Sequence, residues 1–340
     1  MKFDKSRVRR IGRLFSGVAL VTGIAVPLLS SPTSATSTPS LPPFGTSYVV
    51  NHSSDSITVI SPQGSVVTTI KLPSGSAPNT IAISPDDTTA WVADSGSGHI
   101  SEINLTTNTY FQDFPLPSGE KAVSASINTG SGYNGLGLLD VVETGASSQV
   151  VAYNIPSFTT ASTYAPPLGA KDTQIAQAGD GSSFELLESC TTTSNSCPNG
   201  ASGTYVQFVE PNGMVSIGNG ANLVSPLGSS FSNYYLAHGD IGYTAYVAEA
   251  GTNSGQLVCT YNLSSYKSNK SETCPSNFQK PIPLAFEPTA IASSPDGNTI
   301  VVVGVHNPNT SNATDEIEVV GLNNGGTVPT KNTYTPYNTP

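Results

Sequence analysis

One segment of this chain occurs twice, and that repetition constrains the fold more than any other feature. Pro78-Asn-Thr-Ile-Ala-Ile-Ser-Pro-Asp-Asp87 returns as Pro288-Thr-Ala-Ile-Ala-Ser-Ser-Pro-Asp-Gly297. Each copy runs directly into a β-branched stretch, Thr-Thr-Ala-Trp-Val-Ala-Asp ending at Asp94 and Asn-Thr-Ile-Val-Val-Val-Gly ending at Gly304. The physical reading is strand, tight turn, strand. In Ser-Pro-Asp-Asp/Gly, proline fixes φ and the aspartate bonds nearby backbone amides, as a type I turn requires. A unit of this kind cannot bury its apolar face alone, so it needs neighbours of the same construction.

Further second strands fit the same rhythm at Leu138–Glu143, Phe184–Glu188 and Tyr243–Glu249, with an opening one at Tyr48–Asn51. Six such strands, ending at 51, 94, 143, 188, 249 and 304, predict six units of three to four strands each. Two of the intervals are lengthened by the loop holding Cys190 and Cys197 and by the polar stretch 264–276. No helical period occurs beyond the N-terminal segment. The first unit lacks a strand before Tyr48. Either the segment 42–46 supplies it, or the tail 327–337 crosses over to close the ring.

Tyr48-Val-Val-Asn51, Ser56-Ile-Thr-Val-Ile60 and Val66-Val-Thr-Thr-Ile70, together with Trp91-Val-Ala-Asp94 and His99-Ile-Ser-Glu-Ile103, carry a resemblance. With the Pro78 and Pro288 segments, they resemble the YVTN β-propeller repeat. The match is good at the two ends of the chain, while 120–285 keeps only the hydrophobic rhythm. The resemblance implies an all-β fold: a single β-propeller over 46–340 with about six blades, five and seven being the neighbouring solutions. It also implies a cell-surface or surface-layer type of protein, with lactonase-like propeller enzymes as the catalytic relatives.

The N-terminus is built differently. Lys2, Lys5, Arg7, Arg9, Arg10 and Arg13 precede the apolar run Leu14–Leu29, which is followed by Ser-Ser-Pro-Thr-Ser-Ala-Thr-Ser. Basic, apolar and small segments in that order are a secretory signal peptide. Thr33 and Ala35 predict cleavage after Ala35, leaving 36–45 as a flexible leader. The rival is an uncleaved anchor, against which stand the shortness of the run and its Gly23 and Pro27. The pair Arg9-Arg10 is a fragment of a twin-arginine export motif.

Removing 1–35 takes six basic residues and Asp4 from a total of 13 basic and 23 acidic residues. Seven lysines then face 22 acids, a net charge of −15, and no arginine remains. This excludes a nucleic-acid partner, which needs Lys/Arg clusters to neutralise phosphate. It also weighs against bidentate capture of phosphate or carboxylate substrates. The expected partner is an extracellular protein, a glycan or a small ligand, with no transmembrane segment left after signal cleavage. Cys190, Cys197, Cys259 and Cys274 form an even set in an exported chain, which favours disulfides. Three pairings are open; short-loop closure favours 190–197 and 259–274.

Aligning the second strands stacks Asn51, Asp94, Glu143, Glu188, Glu249 and Gly304 in one column. Facing a central channel, four carboxylates and an amide could hold Ca²⁺ through oxygen ligands or attract a cationic ligand. The same residues could instead bond the following turn or stand in solvent. Of the four histidines, His52, His99 and His306 fall in or just after loops of blades that become neighbours when a ring closes. Three imidazoles there could take Zn²⁺ or Cu²⁺, or simply serve as turn residues; His238 lies elsewhere and reads as structural. No G-x-S-x-G elbow is present, and Gly130–Gly137 lacks the strand-to-helix setting of a phosphate loop. The leading expectation is a non-catalytic binding or interaction propeller. Behind it stand a lactonase-like enzyme with a metal or carboxylate site at the channel mouth, and a metal-binding or redox protein.

Overall fold

The computed structural model describes residues 42–43, 46–61, 63, 65–128, 137–145, 148–165, 170–177, 184–190, 203–210, 215–216, 225–226, 231, 233–238, 244–261, 280–293, 299–308, 310, 313–321 and 331–334. Residues 1–41, which hold the expected signal peptide and most of the expected leader, fall outside them, as do Cys197 and Cys274. Strands β1 (Ser47–Asn51), β2 (Ser56–Ile60) and β3 (Val66–Lys71) form the first sheet. The second holds β4 (Pro78–Ile83), β5 (Thr89–Asp94), β6 (His99–Asn104) and β7 (Thr109–Pro115). The third holds β8 (Lys121–Asn128), β9 (Leu138–Thr144), β10 (Ser148–Asn154) and β11 (Thr159–Tyr164). In the fourth, β12 (Ala170–Gln177), β13 (Phe184–Cys190), β14 (Gly203–Glu210) and β15 (Val215–Ser216) lie in order, and β16 (Ser225–Pro226) also pairs with β14. The fifth contains β17 (Asn233–His238), β18 (Thr244–Gly251), β19 (Ser254–Tyr261) and β20 (Ile282–Leu284). The sixth contains β21 (Glu287–Ser293), β22 (Thr299–His306), β23 (Thr314–Gly321) and β24 (Lys331–Tyr334).

Every sheet is an antiparallel meander in chain order, and the five inner strands β4, β8, β12, β17 and β21 follow one another as neighbours. This is a six-bladed β-propeller. The only helical element among the described residues is a 3-10 turn, His52–Ser54. None of the described helices is long and apolar enough to cross a membrane.

The core lies between blades, which explains why the second strands are apolar on both faces. Along β5, Ala90 and Val92 pack against Tyr48, Val50 and Ile57 of the first blade. Trp91 and Ala93 point the other way, onto Leu139 and Val141 of the third. The alternation is the two-residue period of a strand. It repeats down the chain: Val142 meets Phe184 and Leu186, Leu187 meets Ala245 and Val247, and Tyr246 and Ala248 meet Ile300 and Val302. Each fully buried Val, Leu or Ile contributes roughly 1.5–3 kcal/mol.

The first copy of the repeat turn forms as its sequence predicts, while the second, 294–297, lies outside the described residues. Asp87 N bonds Ser84 O at 3.0 Å, and Asp86 Oδ1 accepts from the Ser84 hydroxyl at 2.6 Å and from Thr88 N at 3.1 Å. Two expectations are corrected. The described part of the tail, Lys331–Tyr334, does not cross over, because β24 pairs with β23 on the outer edge of blade six. Nor are the described residues of 42–46, namely Pro42, Pro43 and Thr46, in a strand. Thr46 N bonds Pro43 O at 3.0 Å, so the chain turns there just before β1. Among the described residues the first blade has three strands, in the order β1-β2-β3.

Candidate functional site

The column of second-strand residues exists, but its side chains point between blades. β9, β13, β18 and β22 continue past Glu143, Glu188, Glu249 and Gly304, to Thr144, Cys190, Gly251 and His306. The three glutamates are therefore held within their strands, while Asp94 is the last residue of β5. Asp94, Glu143 and Glu188 are 0% exposed and Glu249 is 1% exposed. A buried carboxylate needs partners, and each has one on a neighbouring strand.

In blade one, Asn51 Nδ2 donates to Thr58 Oγ1 at 2.8 Å and, more weakly, to Ser56 Oγ at 3.4 Å. In blade two, the Ser101 hydroxyl lies 2.6 Å from Asp94 Oδ2 and 2.9 Å from Asp113 Oδ1. In blade three, the Tyr153 hydroxyl donates to Glu143 Oε1, and Gln149 Nε2 donates to Oε2 at 3.2 Å. Glu188 accepts from Tyr164 at 3.1 Å, a bond that crosses from blade three to blade four. Glu249 accepts from Gln256 Nε2. At the sixth position, the place of a side chain is taken by a ring. A Cβ on Gly304 would stand 2.3 Å from Phe286 Cδ2 and 2.3 Å from Glu287 O.

Burial dominates the titration of Asp94 and Glu143. It pushes Asp94 up to about 7, against the Ser101 hydrogen bond and with help from the like charges of Asp113 and Asp55. Glu143 is raised for the same first reason, opposed by Tyr153 and Gln149 and reinforced by Glu120. The Tyr153 hydroxyl is raised by burial and by its bond to Glu143. A further carboxyl that the alignment did not single out, Asp140, is buried on β9 beside Asn128. Burial pushes it up to about 8.

The histidines share one end of the propeller without converging on a ligand. His52 opens the 3-10 turn, and its Nδ1 is 3.2 Å from Pro78 O of the next blade. His99 is the first residue of β6. His306 is the last residue of β22 and not in a loop, because that strand runs past Gly304. Its Nδ1 is 3.1 Å from Ala285 O and 3.4 Å from Glu316 Oε1. Facing carbonyl oxygens, Nδ1 of His52 and of His306 carries the proton. Among the described residues, no three His, Cys, Asp or Glu side chains come together as a metal-binding group. Neither Cys190 nor Cys259 is a free thiol.

Two arrangements escaped sequence reasoning. Asp55, at φ 47°, accepts from Gly75 N at 2.8 Å and Ala77 N at 2.7 Å, fixing the crossing from blade one to blade two. The outer strands also expose an apolar rim: Val66 is 65%, Val67 58% and Phe111 62% exposed, on adjacent strands β3 and β7. Val67 and Phe111 sit where the β2–β3 and β6–β7 registers shift by one residue. A bulge there turns its extra residue off the ladder. The sequence signal was the break in alternation at Val66-Val67.

No family model and no curated protein matches the chain. Solved structures do resemble it. A protein of unknown function from Bacteroides caccae shares 14% identity, with 84% of this chain and 93% of that one covered and a TM-score of 0.52. A functionally unknown protein from Desulfotomaculum acetoxidans shares 14%, covering 85% and 79%, also at 0.52. Virginiamycin B lyase from Staphylococcus aureus shares 14%, covering 87% and 82%, at 0.50. The likeness is one of fold: these neighbours are β-propellers.

Proposed function

We propose that the chain is an exported binding or interaction propeller of the YVTN type, acting through its outer rim and not through a reaction centre. The observation that carries this reading is the pair of bulged outer strands presenting Val66, Val67 and Phe111 to solvent. Exposed apolar side chains of this size on neighbouring outer strands point to an interaction surface. The partner they fit is an extracellular protein with an apolar patch. The basic–apolar–small N-terminus supports export, and the acidic mature surface supports a soluble extracellular life. Pairing 190–197 and 259–274 would staple one loop each and suits the same compartment.

The interior column gives an enzymatic reading less support. Asn51, Asp94, Glu143, Glu188 and Glu249 bond protein partners within or between blades. The likeness to virginiamycin B lyase extends to the fold alone. The test is to fractionate the producing cells, with wild type beside a Val67→Ser/Phe111→Ser variant. Wild type is expected in the extracellular fraction, starting at Thr36 and retained on the cell surface. The variant is expected to be released at equal stability. Retention inside the cell, or unchanged surface retention of the variant, would overturn the reading.

A further inference from the structure

One hydroxyl in blade two stands between two carboxyls. Ser101 Oγ, on β6, is 2.6 Å from Asp94 Oδ2 on β5 and 2.9 Å from Asp113 Oδ1 on β7. A serine hydroxyl has a single hydrogen to give. With both carboxyls ionised, one of these contacts would set two oxygens against each other with no hydrogen between them. Both separations are hydrogen-bond distances, so a second hydrogen belongs in the row.

The place of that hydrogen follows from burial and from the neighbours. Asp94 and Ser101 are both 0% exposed, whereas Asp113 is half-buried and also accepts from the Tyr110 hydroxyl. Charge costs less at Asp113, which solvent and two hydroxyl donors reach, than at Asp94. Blade one contains the neutral counterpart. Asn51 holds the place of Asp94 in the column, and its Nδ2 donates to the Thr58 hydroxyl at 2.8 Å. Asn51 is paired with Ser56 and Asp94 with His99, so Thr58 and Ser101 each lie two residues further along the next strand. A protonated Asp94 reproduces the donor that Asn51 supplies.

We propose that Asp94, Ser101 and Asp113 form a proton-operated lock: Asp94 donates to Ser101, Ser101 donates to Asp113, and the outer strand β7 is tied to the buried strand β5. When the Asp94 proton leaves for solvent, two carboxylates compete for the one Ser101 hydrogen. One bond is lost, and like charges face each other across β6. Asp113 and Asp55, the latter in the turn entering β2, oppose that state by their charge, and Tyr110 also faces it from β7. His99 is the cross-strand neighbour on β6, His52 of blade one bonds Pro78 O through Nδ1, and the Ser76 hydroxyl favours the charged form. Burial sets the balance and places the change at about 7. The lock is therefore closed below that pH and opens as pH rises through it. Phe111 lies on β7 with Asp113, so the same proton steadies one side of the apolar rim. That consequence rests on the rim being a binding surface; the lock itself does not.

Hydrogen exchange of β7 tests the lock in the purified protein, read as protection corrected for the intrinsic pH dependence of exchange. Between about pH 6 and about pH 8.5 the β7 amides are expected to lose about three- to tenfold protection, the contribution of one net hydrogen bond. Asp94→Asn, which keeps a donor facing Ser101, is expected to hold the lower-pH protection at both values. Ser101→Ala is expected to be low at both. Infrared spectra supply a second readout that needs no exchange. A protonated-carboxyl band is expected in wild type at the lower pH, weaker at the higher pH and correspondingly reduced in Asp94→Asn. The proposal falls if β7 protection is the same at both pH values, or if Asp94→Asn loses it as wild type does, which would assign the change to Asp140 or another group. It falls equally if wild type and Asp94→Asn share the same carboxyl band. None of these readouts involves a partner, so their failure is separate from failure of the rim reading.

Discussion

At the residue scale, the burial of carboxylates has a measurable pH signature. Asp94 and Asp140 titrate at about 7 and about 8 in the folded chain, above the ordinary 3.8. Between those values the native state keeps protons that the unfolded chain has released. The stability they contribute is full below about pH 4 and lost as pH rises through 7 and 8. Thermal unfolding from pH 4 to 9 should therefore show falling Tm, and Asp94→Asn or Asp140→Asn should flatten the fall and raise Tm at pH 8 by a few degrees. In blade three, Tyr153→Phe strips a buried Glu143 oxygen of its donor, which costs about 1–3 kcal/mol. Calorimetry of Tyr153→Phe, Glu143→Gln and the double variant should show non-additive losses. Gly304→Ala should cost roughly 1–3 kcal/mol or more by forcing Phe286 aside. Alignment singled out most of these positions, since Asn51, Asp94, Glu143 and Glu249 share a strand offset. It left their partners unknown, because Ser101 and Gln256 meet them only across a register that pairing sets.

At the element scale, the repeats explain why the second strands were easy to read and the inner ones were not. Val92, Val142 and Val247 lie in strands buried on both faces, so the sequence reads as an unbroken apolar run. Inner strands such as Lys121–Asn128 mix Lys, Ser and Asn with Ala, and their bulges break the alternation. Those bulges position Thr80, Ser124 and Gln174 to accept from the neighbouring blade. Ser124→Ala leaves the buried amide of Ile175 unpaired, with an expected loss of about 1–3 kcal/mol in denaturant unfolding. A loss below about 0.5 kcal/mol would mean that the ladder is incidental. His306 belongs to this scale too: two extra residues of β22 moved it from an expected loop into a strand.

At the scale of the whole molecule, the outer rim makes a prediction independent of the core. Val67→Ser/Phe111→Ser should change stability by no more than about 0.5 kcal/mol, because both side chains are already in water. Binding to an extracellular partner should nevertheless be lost, and sedimentation with that partner would register it. By itself, the sequence determined the all-β repeat architecture and its six units. Strand period, turn chemistry and recurrence are local properties that every copy restates. Where the conspicuous side chains point was decided only by tertiary structure. Whether Asp94 or Glu143 faces a channel or a neighbouring blade depends on which face of the strand is covered, and that is settled by packing one sheet against the next. Burial then turned a column that could have been an open ring of charge into hydrogen bonds within and between blades.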